Sequence, residues 1–145
     1  LTRAAIAQHG DEGHRHQLSN DDSPHVVAAV LNNTNRKEYF DKHIDHPNKK
    51  VQRVVAQNGH AEHKTKMMHS DDPNIRAYIV HGDGAKKEHF DHLMHDTDVM
   101  VRNQVARFGH KEHVEHLMHD ENPMVRKTAK DRYQHITAPD EWHPE

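Results

Sequence analysis

The sequence predicts an all-α protein, built as a solenoid of about five two-helix repeats. The 24 residues from Val101 to Met124 are followed at once by Val125-Arg126, which restarts the pattern of Val101-Arg102. Apolar residues recur at the three- and four-residue spacing of an amphipathic helix, and no segment alternates as a strand does. Self-similarity at a fixed period of roughly 20–50 residues is typical of stacked repeats.

Laid against this reference copy, the rest of the chain divides into copies of unequal quality. The predicted array covers residues 1–132, in copies 2–25, 26–50, 51–74, 75–100 and 101–124 with a partial copy at 125–132. Copy 26–50 is the weakest, and copy 75–100 carries two extra residues near Gly82-Asp83-Gly84. Residues 133–145 are expected to form a polar cap or a loose tail, with Trp142 folded over the last exposed seam.

Each copy is predicted to hold two short helices. The first begins at a proline that follows a helix-capping residue, and these pairs are Ser23-Pro24, Asp72-Pro73 and Asn122-Pro123. It ends at a glycine placed where a C′ residue would stop the helix, and these glycines are Gly10, Gly59 and Gly109. The second helix, about His110 to His119 in the reference copy, is short enough to be α or 3-10.

Composition favours a thin repeated core over a thick globular one. Only 32% of the 145 residues are hydrophobic, and there are three Phe, three Tyr and one Trp. The absence of Cys excludes disulfides, thiolate metal sites and Cys nucleophiles. No apolar run approaches the roughly 18 residues of a membrane span, so no membrane partner is expected. These features fit a cytoplasmic protein.

The repeated pattern V-R-x-x-V-A-x-x-G-H-x-x-H-x-x-x-L-M-x-D-x-N-P-x-V-R resembles short HEAT-like repeats. It is most similar to the 24-residue variant leucine-rich repeat (LRV). The resemblance covers residues 2–132 and implies a two-helix unit that stacks into a right-handed superhelix. It also implies an interaction scaffold. The founding LRV protein carries an iron–sulfur cluster, and this chain has no Cys to hold one. No cofactor is therefore expected.

A repeated arginine follows the apolar start of the first helices. It occurs as Arg3, Arg76, Arg102 and Arg126. One interpretation pairs each guanidinium with an acid of the inter-repeat turns, and these acids are Asp21, Asp71, Asp96 and Asp120. The alternative is a row of guanidinium forks that binds phosphate or carboxylate on a partner. Co-occurrence of Arg and Asp in every good copy favours the first interpretation.

The 19 histidines also follow the repeat. His63, His89 and His113 occupy one position of the second helix, and His92 and His116 occupy another. Paired imidazoles on one helical turn could bind a transition metal. The histidine spacing recurs in every good copy and does not gather the imidazoles at a single site. The favoured interpretation is therefore that these histidines cap helices, pack beside turns or line a solvated face. No metal site is predicted.

The sequence favours a non-enzymatic scaffold that binds another protein, as an adaptor or a stoichiometric inhibitor of phage or bacterial type. The partner-binding candidates are Arg76, Arg102, Arg126, Lys66, His63, His89, His92, His113 and His116. The alternative is a nucleic-acid-binding HEAT-like protein, although 20 Lys plus Arg against 23 Asp plus Glu leave no cationic excess. A third possibility is a histidine-dependent metal-binding protein. No catalytic motif is present, so no catalytic residue is named.

Overall fold

The computed structural model describes residues 2–138, and the regular elements in this part of the chain are all helices, with no strand. The predicted all-α class is confirmed. The helices are α1 Arg3–His9, α2 Glu12–Leu18, α3 Pro24–Asn32, α4 Lys37–His43, α5 Lys49–Asn58, α6 Ala61–Met67, α7 Pro73–Tyr78, α8 Lys87–Leu93, α9 Val99–Phe108, α10 Lys111–Leu117 and α11 Pro123–Thr137. None of them is long and apolar enough to cross a bilayer.

Contacts divide the chain into two compact units, residues 1–86 and residues 87–145. In the first unit, α1 packs on α3, α3 on α5 and α5 on α7. In the second unit, α9 packs on α11. The short second helices, which are α2, α4, α6, α8 and α10, contact these first helices more than they contact one another. The first helices therefore form the core of each unit.

Helix α3 shows how a weak copy of the repeat is still accommodated. Its residues from Val26 to Leu31 are all buried, because α1 and α5 pack on either side of it. A helix that is apolar on every side is stable only inside such packing. The loss of repeat pattern in copy 26–50 thus reflects a helix covered all round.

The glycines that end the first helices have a different role from the predicted one. Gly59 and Gly109 have φ values of −63° and −69°, so neither adopts the left-handed conformation of a C′ glycine. A Cβ on Gly59 would lie 2.5 Å from the Val55 carbonyl oxygen and 2.9 Å from the His63 Cβ. Glycine is required here because the second helix, with its histidine, approaches the chain too closely for a side chain.

The predicted starts of the first helices are confirmed. Proline starts α3, α7 and α11, and the side chains of Asp72 and Asn122 accept hydrogen bonds from the first turns of α7 and α11. The second helices are α-helices of seven residues each. Helix α11 continues past the predicted end of the array at residue 132 and stops at Thr137. The expected position of Trp142 lies outside the described residues.

Lys64 of α6 is fully buried, which is unusual for a lysine. Its Nζ donates to the carbonyl oxygens of Ala56 at 2.6 Å, Gln57 at 3.0 Å, Ile79 at 2.9 Å and His81 at 2.5 Å. These carbonyls lie near the ends of α5 and α7, where helix dipoles concentrate negative charge. Burial lowers the pKa of Lys64 to about 7, and the four carbonyls oppose this shift by favouring the ammonium. The side chain thus ties α5 to the segment that follows α7.

We predict that Lys64→Met destabilises the protein by about 2–4 kcal/mol, because buried carbonyls would lose their donor at about 1–3 kcal/mol each. Urea unfolding followed by circular dichroism measures the change. Lys66→Met on the same helix is the matched control, since the Lys66 side chain is 62% exposed. Its effect should stay within about 0.5 kcal/mol. Equal effects of the two substitutions would contradict the anchoring role of Lys64.

Candidate functional site

His63 and His113 each join two second helices through both ring nitrogens. In unit 1, the backbone N–H of His60 donates to Nδ1 of His63 at 3.0 Å, and Nε2 lies 2.6 Å from Oδ1 of Asp41 on α4. In unit 2, the corresponding distances around His113 are 3.2 Å to the His110 nitrogen and 2.6 Å to Asp91. The histidine occupies the third helical position, where a glutamate or glutamine completes a capping box in other proteins.

This geometry determines the tautomer of both rings. A backbone N–H can only donate, so Nδ1 must be the acceptor and the proton must be on Nε2, facing the carboxylate. A metal at Nε2 would require that nitrogen to lose its proton, and the other nitrogen would then carry a proton against the N–H of the cap. Neither ring has a free lone pair for metal binding or for activating a nucleophile.

The side chains around His63 form one charged cluster. Nζ of Lys37 lies 2.8 Å from Asp41 and 3.3 Å from Glu62, and its single positive charge offsets part of the negative charge of the two carboxylates. Hydrogen bonds from Lys37 and then from His63 lower the pKa of Asp41. Asp41, Glu62 and His63 hold the one trio of metal-ligating atoms within 4.8 Å that the described residues contain. The Lys37 ammonium and the tautomer of His63 both disfavour a cation there.

Unit 2 contains the same cluster, displaced by 50 positions in the sequence. Nζ of Lys87 lies 2.9 Å from Asp91 and 3.7 Å from Glu112. The pKa of Asp91 is lowered by Lys87 first and by His113 second. The two clusters show that the chain repeats in pairs of copies as well as in single copies.

A phenylalanine ring packs against the two histidine rings of each cluster. Phe40 lies 5.8 Å from the ring of His60 and 5.6 Å from that of His63. Phe90 lies 5.3 Å from His110 and 5.5 Å from His113. These contacts pack the faces and edges of the imidazoles and fix their orientation.

Sequence reasoning missed Lys37, Asp41, Lys87 and Asp91. They lie in alternate copies, so a 24-residue shift aligns Lys87 and Asp91 with Lys111 and Glu115 and not with Lys37 and Asp41. A comparison of the chain with itself at a shift of 50 residues aligns Lys37 with Lys87, Asp41 with Asp91 and His63 with His113. That comparison could have identified the clusters.

The candidate arginines bind inside the fold. Nη1 of Arg76, Arg102 and Arg126 donates to the carbonyl of the residue six positions earlier, at 2.7–2.8 Å. Arg102 is 7% exposed and also contacts both Oδ atoms of Asp120, at 2.8 Å and 3.3 Å. Burial acts to raise the pKa of Asp120, but hydrogen bonds from Arg102 and from the Asn122 N–H lower it overall. The predicted pairing with turn acids holds for Arg102, and Arg3 lies 3.1 Å from Asp21.

The remaining candidates separate by exposure. His63, His89 and His113 are buried and cannot be touched by a partner in the folded protein. Lys66, His92 and His116 are exposed on α6, α8 and α10, and Arg76 and Arg126 are half-buried. In unit 2 the ring of His116 lies 4.9 Å from that of His95, at the edge of a shallow groove of about 520 Å³. The structure therefore does not bring all nine candidates to one surface.

No protein-family model, curated protein or solved structure matches this chain.

We predict that His113→Ala lowers the free energy of unfolding by about 2–3 kcal/mol, because it removes a helix cap and a buried bridge. His116→Ala on the same helix should cost no more than about 0.5 kcal/mol. His113→Gln keeps a capping acceptor and should fall between them. Thermal and urea unfolding measure all three. An equal response of His113→Ala and His116→Ala would contradict the assigned role.

We also predict that His43 contributes to acid sensitivity. Burial lowers the pKa of His43, against the hydrogen bond to the Ser19 carbonyl, which raises it. The unfolded chain therefore binds this proton more readily, and stability must fall as pH drops through about 6.5. His43→Leu introduces the residue found at the equivalent position 50 residues later, Leu93. This change should reduce the dependence of the free energy of unfolding on pH between pH 7 and 5. Parallel curves for the two proteins would exclude His43 as a source of the slope.

Proposed function

We propose that this chain is a non-enzymatic repeat scaffold that binds another protein. In this proposal, the helix pairs belong to a right-handed solenoid of the HEAT-like or LRV type, located in the cytoplasm. The observation that carries it is the recurrence of the His63 and His113 clusters. Both ring nitrogens of each histidine are hydrogen-bonded between the helices of consecutive copies, which suits a scaffold. Neither cluster therefore has an imidazole nitrogen available for catalysis.

The exposed residues of the second helices are the proposed contact surface. In unit 1 this surface comprises Glu62, Thr65 and Lys66, and in unit 2 it comprises His92, Glu115 and His116. These residues mix both charge signs with neutral polar groups. Such a mixed polar surface suits the rim of a protein interface, where complementary charges orient the partner.

Charge pairing weighs against a nucleic-acid partner. Lys37, Lys87 and Lys111 each lie within 3.8 Å of a carboxylate four residues later on the same helix. Phosphate contacts need cations in local excess. These lysines are already neutralised by neighbours, so they add little net positive field.

The proposed function predicts a complex that depends on the exposed histidines. Immobilised wild-type chain should capture a discrete protein from a lysate of its own source, and His92→Glu combined with His116→Glu should reduce that capture at least tenfold. His135→Glu, an exposed change on α11, is the matched control and should leave capture intact. Circular dichroism verifies that all three proteins are folded. No captured protein, or equal capture by all three, would overturn the proposal.

A further inference from the structure

Unit 1 contains a groove of about 530 Å³ that the repeat pattern does not anticipate. It lies at the ends of α3 and α5 and at the start of α6. The two-residue insertion at Gly82-Asp83-Gly84 forms one wall. The groove thus exists because copy 75–100 is longer than the other copies.

Lys64 and two close glycine contacts hold the inserted loop in place. Lys64 binds the carbonyls of Ile79 and His81, which lead into the loop, together with those of Ala56 and Gln57 on α5. Gly84 lies against the turn between α5 and α6 so closely that a Cβ would be in contact with the Gly59 carbonyl oxygen. Gly82 has a φ of 79°, which favours glycine. A buried cation and two glycines thus fix this wall.

Side-chain amides make up much of the remaining polar lining of the groove. Asn32 and Asn58 end α3 and α5, and Nδ2 of Asn58 donates to Oδ1 of Asn32 at 2.6 Å. This bond leaves the Nδ2 donors of Asn32 and the Oδ1 acceptor of Asn58 without a partner among the described residues. Asn35 contributes a third exposed amide, and its backbone carbonyl lies 2.7 Å from Nε2 of His60. Adjacent free donors and acceptors match the N–H and C=O of a peptide group.

The loop adds backbone donors to the same lining. The amide nitrogens of Asp83 and Gly84 have no acceptor within the described residues, and Ala85 N–H bonds back to the Gly82 carbonyl at 3.3 Å. Free main-chain donors and side-chain amides that line one groove can pair with the C=O and N–H groups of an extended chain. Extended peptides are recognised in this way when main-chain hydrogen bonds supply the affinity.

We infer that this groove binds an extended peptide segment of a partner protein through its main chain. The inference rests on the proposed protein-binding function and names the place where unit 1 performs it. An anion is a poor fit, because Lys86 is balanced by Asp83 in the same lining. A sugar or nucleobase would lack a stacking platform, since His60 supplies the one ring among the described lining residues.

A random 12-residue peptide library displayed on phage, selected on the full-length chain, tests the inference. Selected peptides are expected to bind in solution and to weaken at least tenfold against Asn32→Leu combined with Asn58→Leu. Asn32→Asp, which removes the donor at nearly constant shape, should weaken them as well. Asn74→Leu, an exposed asparagine outside the groove, is the matched control. N-methylation of the central peptide bonds should abolish binding if the main chain is recognised.

Several outcomes would overturn the groove assignment. These are the absence of any selected peptide, equal binding to the asparagine variants, or tolerance of N-methylation. Binding of maltotetraose or chitotetraose without any peptide binding would assign the groove to a carbohydrate. If the asparagine variants capture the lysate partner normally while the His92 and His116 variant does not, the groove inference fails and the proposed function stands. If neither set of changes affects capture, both fail.

Discussion

Helices α6 and α10 are each joined to the preceding second helix of their unit by an imidazole that uses both of its nitrogens. His63 and His113 accept from a backbone N–H at the start of their own helix and donate to an aspartate on the preceding second helix. The same two pairs of helices are also joined by the ion pairs Lys37–Glu62 and Lys87–Glu112. This bridge requires a glycine just before the helix, because a Cβ would collide with the histidine. Each of the two bridges therefore depends on a glycine, a histidine and an aspartate together.

Lys64 shows what happens where the regular pattern is broken. Its position is taken by Phe40, Phe90 and Val114 in other copies, and those side chains are also buried. In copy 2–25 the half-buried Arg15 holds this position and donates to the Gly10 carbonyl at 2.7 Å. Lys64 is fully buried because an insertion after α7 leaves carbonyl oxygens facing inward. The buried charge is tolerated because four acceptors surround it. The irregular copy thereby gains a fixed loop and an adjacent groove.

Burial separates the repeated polar side chains into two groups. Arg102 and His113 are buried and internally bonded. His92 and His116 share one position of the second helix and are exposed. Recurrence in the sequence therefore does not distinguish a side chain that packs inside the fold from one that faces solvent.

The sequence by itself determined the helical class, the proline-started helices and the pairing of Arg102 with an acid of the turn. The helical class and the proline-started helices follow from spacing and local capping, which act within a few residues. The pairing of Arg102 with Asp120, 18 positions away, follows from the recurrence of both residues with the repeat. It could not determine the role of the glycines, the partner of each histidine or the burial of Lys64. Asp41 lies 22 positions from His63, and Ile79 lies 15 positions from Lys64, so only packing brings them together. The tertiary structure therefore decided which of the repeated polar residues are buried and hydrogen-bonded inside the fold and which remain at the surface. The reason is that the burial of a side chain depends on neighbours from other copies.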